Sequence, residues 1–196
     1  MTAAILDDAA LDRIFREART HNGYLDKPVT RAQVEAIYDL LKMGPTSVNS
    51  QPARFVFCLS QEARERLAAT ASGTNAEKIR KAPAAVIIGM DMDFGEKLAK
   101  VFPHAPDAKN WFAGDVLRDT AFRNSSLQGA YFIIAARALG MDTGPMSGFD
   151  NAAVDAAFFA GTSVRSNFIA TFGYGDAGSV HPRLPRLDFE EACRID

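Results

Sequence analysis

The sequence predicts an α+β fold, a mixed central sheet surrounded by helices, as a single domain over residues 1–196. Three observations lead there. Segments with apolar residues at helical spacing alternate with short runs of strand-favouring residues. The first of those runs is not followed by the glycine-rich phosphate loop that a doubly wound sheet would carry. One long segment in the second half is apolar almost all round, so a helix there must be covered on every side. With 196 residues and 47% hydrophobic content, the chain can bury one sizeable core.

Residues 7 to 19 set Ala10, Leu11, Ile14, Phe15 and Ala18 three and four apart among charged residues, which predicts an amphipathic helix ending near "THNG". In "PVTRAQVEAIYDLLKMG", Thr30 is the expected N-cap, Val34, Ile37, Leu40 and Leu41 form one face, and Gly44 with Pro45 stops the helix. "ARFVFCL", residues 53 to 59, predicts a buried strand, and "SQEARERLAAT" a helix capped by Ser60. "PAAVIIGM", residues 83 to 90, predicts a second central strand with Pro83 confined to its first position. Residues 91–118 are the least regular stretch: either an excursion beside a site or a surface loop anchored by Phe102, Trp111 and Phe112. From Thr120 to Leu139 the pattern is a helix, covered at a fold centre or by a second subunit. Asp150 then caps a short helix, and "SNFIATFGYG" predicts a third central strand.

Composition narrows the function. A net charge of -2 provides no basic field for nucleic acid or an anionic membrane. Asp7, Asp8 and Asp12 stand where a secretory signal needs a positive flank and an apolar run, so a cytoplasmic protein is expected. Cys58 and Cys193 have no CxxC partner, and His21, His104 and His181 are isolated in sequence, so no metal site is expected.

Four stretches could carry chemistry. In "GPTSVNSQP", Pro45 and Pro52 bracket Thr46, Ser47, Asn49, Ser50 and Gln51, whose hydroxyls and amides can bond a ligand or satisfy turn amides. Arg19 with His21, and His181, Arg183 and Arg186 in "HPRLPRL", are two places where an anion could meet guanidinium forks. "GPMSGFD", residues 144 to 150, offers glycines that admit a planar ring close to the backbone, or a tight turn with Asp150 as cap. Ser147 lacks the GxSxG setting of a nucleophile, and "GYGDAGS" lacks the Lys-Ser/Thr of a phosphate loop.

Taken together, "GPTSVNSQP", the strand after it, the apolar helix, "GPMSGFD" and "RLP" resemble, in that order, the nitroreductase-like FMN-dependent oxidoreductases over nearly the whole chain. "ARTHNG", "FPH", "TAFRNSS", "ALGMDTGPMSGFD" and "HPRLPRLDFEEAC" are similar to a compact branch of that family, which contains the malonic semialdehyde reductase (3-hydroxypropanoate dehydrogenase) of uracil breakdown.

The resemblance implies an intertwined homodimer with FMN at the interface. Arg19 and His21 would approach the FMN phosphate or its polar chain, and Arg183 would help neutralise the phosphate. Pro45, Thr46, Ser47 and Asn49 would line the cofactor from the partner subunit. Asn75 would meet the polar edge of the flavin, Lys78 would add positive potential, and the backbone of Pro145, Met146, Ser147 and Gly148 would lie beside the ring. Ser147 stands where family members often carry Glu, His181 where relatives can use Lys, and Gly23 at another position that is basic in relatives.

The implied activity is ping-pong hydride transfer through FMN from NADH or NADPH to malonic semialdehyde, giving 3-hydroxypropanoate. No amino-acid nucleophile is required, the alkoxide proton comes from water or a positioned donor, and the group holding the substrate carboxylate is open among Arg19, Lys78, Arg123, Asn124 and others. The alternatives are a broad-specificity nitroaromatic or quinone reductase and a non-catalytic flavin-binding protein.

Overall fold

A computed structural model describes residues 5–196 and shows a four-stranded sheet, in the order β1-β2-β4-β3, between two layers of helices. Helix α1 (Asp8–Leu11), capped by Asp7, passes into a π-helical turn at Asp12–Arg16, short of the expected end at residue 19. Helix α2 (Arg31–Leu41) starts at Thr30 with a reciprocal capping box: Gln33 N–H donates to Thr30 Oγ1 at 3.3 Å, and Thr30 N–H donates to Gln33 Oε1 at 2.9 Å. Replacing Thr30 by Ala should therefore cost about 1 kcal/mol in urea denaturation, whereas Thr30→Ser should cost a few tenths at most.

Strand β1 (Ala53–Cys58) leads through the Ser60 cap into α3 (Gln61–Ala68). Helix α4 (Thr74–Lys81) was not expected from sequence: its run is mostly polar and charged, and Ile79 is its one fully buried residue. Strand β2 (Ala84–Asp91) is the central strand. The excursion then folds as a 3-10 turn (Phe94–Lys97), helix α5 (Leu98–Val101) and a second 3-10 turn (Pro106–Trp111). Its anchor is Phe94, fully buried and edge-on to Phe112 at 5.0 Å, while the expected anchor Trp111 is 55% exposed.

Helix α6 (Gly114–Ala138) begins earlier than the expected Thr120 and takes in the end of the 91–118 stretch. Strand β3 (Asp142–Met146), helix α7 (Asn151–Phe158, capped by Asp150), strand β4 (Val164–Gly173) and a short C-terminal helix α8 (Phe189–Ala192) complete the chain. Strand β3 adds a fourth strand to the three expected. Gly144 and Pro145 disguise it in sequence, and the edge position accounts for them, because an edge strand has one side on which a proline needs no N–H. Among the described residues all strand ladders are antiparallel, and the parallel component of the expected mixed sheet is the single bridge Thr20–Thr143.

The alternation along β2 explains its unbroken apolar run. Ala84, Val86 and Ile88 pack with Ile37, Leu41, Phe132 and Ala136 on the α2/α6 side, while Ala85 and Ile87 pack with Leu67, Ile79 and Val154 on the other. Helix α6 buries Ala121, Ser125, Gln128, Phe132, Ala135 and Ala136 along one stripe, and leaves Phe122 54% and Leu127 41% exposed on another. No helix among the described residues is long and apolar enough to cross a membrane.

Candidate functional site

Where the first helical segment ends, the chain turns alongside β3. Thr20 bridges Thr143, and the N–H of His21 donates to the Thr143 carbonyl at 3.1 Å. This brings Arg19 to the rim of a groove of 530 Å³ that Arg137, His181, Arg183 and Arg186 also line. The C-terminal tail forms its far wall: Arg19 donates to the His181 carbonyl, and Arg183 donates to the Ala18 carbonyl at 3.2 Å. The two arginine-bearing segments that are 162 residues apart in sequence therefore meet.

Arg137 also lines the groove and was not among the residues expected from the sequence. It projects from the end of α6, donates to the Ile14 carbonyl at 3.0 Å, and keeps a buried Nε without a partner. Burial lowers its guanidinium from the ordinary arginine value; Asp142 opposes that effect, and the neighbouring cations Arg13 and Arg183 add to it. A lone cation following the apolar stretch Ala130–Ala136 was the available signal. An anion in the groove would relieve both the unpaired donor and the crowding of positive charge.

His21 lies on an adjoining 310 Å³ cavity that shares Arg19. It is 8% exposed, its Nδ1 has no hydrogen-bond partner, and Asp142 Oδ1 stands 4.0 Å away. Gly175 makes room for the ring: a Cβ there would lie 2.3 Å from His21 Cδ2. Tyr24 closes the same end of the sheet through a 2.9 Å hydrogen bond with Thr171, and burial pushes its phenol above the usual range so that it stays protonated.

The other end of β3 carries the second predicted group. Pro145 and Met146 finish the strand, and Ser147 and Gly148 follow it. The Gly148 carbonyl accepts from the Ser72 N–H and from Asn75 Nδ2, both at 3.1 Å. A Cβ on Gly148 would stand 2.7 Å from Asn75 Nδ2, so glycine permits this closure. Lys78 is half-buried on the same helix as Asn75.

The third predicted group, Pro45, Thr46, Ser47 and Asn49, occupies the α2–β1 connection. The Pro45 carbonyl accepts from Tyr131 Oη, the Thr46 hydroxyl accepts from the Gln51 N–H, and the Ser47 N–H donates to Asn124 Oδ1. Asn49 Nδ2 donates to the Val101 carbonyl at 2.8 Å, and its Oδ1 accepts from Gln51 Nε2 at 2.9 Å. Val48, Asn49 and Gln51 hold left-handed φ values of 46°, 52° and 43°. Three non-glycine residues in that region store of order 1 kcal/mol each. No hydrogen bond or ion pair among the described residues joins this loop to Arg19 or Gly148 within one chain.

Asn124 proves to be a positioning residue. It is 2% exposed, with Oδ1 accepting from the Ser47 N–H and Nδ2 donating to the Thr120 carbonyl, so burial and these two bonds tie it to the α2–β1 connection. Arg123 faces outward with Phe122 and Leu127 along a shallow apolar groove.

The sequence matches the nitroreductase family over residues 15–174. A protein of Caulobacter sp. (strain K31) with the provisional name NADH dehydrogenase/NAD(P)H nitroreductase is 60% identical over 193 residues, covering 98% of this chain and 99% of that protein. Two solved structures share the fold at lower identity. The nitroreductase ydfN from Bacillus subtilis, also provisionally named, superposes with a TM-score of 0.87 at 22% identity over 97% of this chain and 100% of its own. A provisionally named nitroreductase of Exiguobacterium sibiricum 255-15, solved in complex with FMN, gives 0.86 at 19% identity and covers 100% of both chains.

Proposed function

This chain belongs to the nitroreductase family, and from that premise we propose that it is an FMN-dependent NAD(P)H oxidoreductase whose acceptor is malonic semialdehyde. One observation carries the cofactor reading. The cationic groove, with its unpaired Arg137 Nε, lies at one end of β3, and the backbone after Met146, exposed at Ser147 and half-buried at Gly148, lies at the other. Arg19, Arg137 and Arg183 would hold the phosphate, with His21 beside the polar chain. Asn75, Lys78 and the backbone of Pro145, Met146, Ser147 and Gly148 would hold the ring.

Bound FMN would supply two-electron hydride chemistry between NAD(P)H and the acceptor. The net reaction adds a hydride to the aldehyde carbon and a proton to its oxygen, leaving 3-hydroxypropanoate and NAD(P)⁺. The protein's part is to orient both partners and to balance charge. A guanidinium cluster fixes the anionic end without reorganising during turnover, and the Gly148 carbonyl, already held by two donors, keeps the backbone after β3 rigid.

The family resemblance also assigns Pro45, Thr46, Ser47 and Asn49 to the partner's cofactor, in a homodimer. The exposed Phe122 and Leu127 stripe on α6 supports that arrangement, since a second subunit would cover it. Sedimentation of flavin-loaded protein as a monomer would remove it.

The deciding measurement is the absorbance spectrum of protein mixed with FMN and freed of excess cofactor, followed anaerobically by NADH and NADPH. The expected result is retained flavin that bleaches, with 3-hydroxypropanoate formed when malonic semialdehyde is added. Retained flavin that neither nucleotide reduces would instead favour a non-catalytic flavin-binding protein. The name of the Caulobacter relative favours a second reading, a nitroaromatic or quinone reductase. A higher kcat/KM for a nitroarene than for the aldehyde would select it.

A further inference from the structure

We infer that the cavity between α2, β1 and the excursion is a binding site for a small organic carboxylate, with Lys97 and Lys100 as its cations and the Ser50 hydroxyl as a fixed donor. The cavity measures 250 Å³, and no carboxylate among the described residues lines it. Arg54 also lines it, but its charge is matched by Asp91: one terminal nitrogen donates to the Gln51 and Ala53 carbonyls, and the other to the Asp91 carboxylate. Lys97 and Lys100 are exposed, enter no ion pair among the described residues, and follow one another at a spacing of three across the junction of the 3-10 turn with α5. They are the two cations with charge to offer a ligand.

Ser50 makes this more than a pair of surface lysines. It is 1% exposed, it lines the cavity, and its Oγ has no hydrogen-bond partner. A buried hydroxyl without a partner costs stability, so its persistence beside two unpaired ammonium groups points to an anionic acceptor. Gln128, 4% exposed, also lines the cavity; its Oε1 accepts from the Ala53 N–H, and what its amide has left to offer is donors. The loop with left-handed Val48, Asn49 and Gln51 holds this wall in place, tied to the end of α5 by the bond from Asn49 to the Val101 carbonyl. Ammonium, hydroxyl and amide donors around a volume of this size suit a three-carbon acid better than a bulky aromatic one.

Binding does not depend on the proposed activity; a role for the cavity in turnover rests on the aldehyde-acid reading. Titration calorimetry of the full-length protein, with and without added FMN, against 3-hydroxypropanoate and uncharged 1,3-propanediol tests the binding. The acid should bind at least about tenfold more tightly than the diol, and Lys97→Met, Lys100→Met and Ser50→Ala should each weaken it about tenfold, the scale of one charge-assisted contact. Equal binding of acid and diol, unchanged binding in both lysine variants, or equal competition by inorganic phosphate would overturn the assignment. In turnover, the lysine variants should raise KM for malonic semialdehyde about tenfold while leaving that for propanal unchanged; a parallel rise for both aldehydes would overturn the role in turnover. Failure of the wild-type protein to retain or reduce flavin would count against the proposed activity alone, since the titration still decides the binding.

Discussion

Arg19→Met is expected to weaken FMN retention by about 10–100-fold, the value of one charge-assisted contact to a phosphate. Equilibrium dialysis with FMN, and with phosphate-free riboflavin, is the check. The loss should be confined to FMN, because riboflavin offers the groove no anion. Arg19 also donates to the His181 carbonyl, so its loss could act by releasing the tail. Arg183→Met should lose FMN retention likewise, since Arg183 lines the same groove and its bond to the Ala18 carbonyl is the other tie on the tail. Arg137→Met should match Arg19→Met in FMN loss but also destabilise the fold, since it removes the bond to Ile14 from beneath the first helical segment. A loss of equal size for riboflavin in all three variants would mean that the groove does not hold the phosphate.

Asp91→Ala is expected to cost about 3 kcal/mol of stability at pH 7, the lower end of the range for breaking a buried ion pair, because Arg54 retains partial contact with solvent. Asp91 terminates β2 and gathers three partners: Arg54 from β1, the Ser163 hydroxyl at 2.7 Å and the Asp93 N–H at 2.9 Å. Burial pushes its carboxyl upward, but the bonds from Ser163 and Asp93 and the charge of Arg54 outweigh burial and hold it below the ordinary aspartate value. The sign follows from that depression. The stabilisation is fully present above the unfolded value of about 4 and is lost as the pH falls from there through the folded value. Urea denaturation should therefore show a wide gap between wild type and variant at pH 7 that narrows below about pH 4. A gap independent of pH would place the effect in packing instead.

Much of the fold was legible in the sequence where local chemistry and tertiary packing demand the same residue. Thr30, Ser60 and Asp150 cap the helices they were expected to cap, because an N-cap is satisfied within four residues whatever lies beyond. Strand β2 was legible because both of its faces are buried. Strand β3 was not, because Gly144 and Pro145 suit an edge strand and a turn equally, and only its pairing with β4 distinguishes the two. Helix α4 was missed for the opposite reason: its run is charged, and Ile79 is its one fully buried residue.

The sequence by itself determined the helix caps, the apolar core strands, the segment order that resembles the nitroreductase family, and the residue types able to meet an anion or a polar ring. These depend on neighbours along the chain or on composition. The tertiary structure alone decided which of those residues share a site. Arg19 and Arg183 meet because the tail returns to the end of the first helical segment, and Arg137 joins them because α6 ends there. Asn75 reaches Gly148 because a glycine admits it at that distance. Ser50, Lys97 and Lys100 line one cavity because the excursion folds back over β1. Each of these juxtapositions depends on where long-range packing leaves the backbone, and residues far apart along the chain carry no local signal of it.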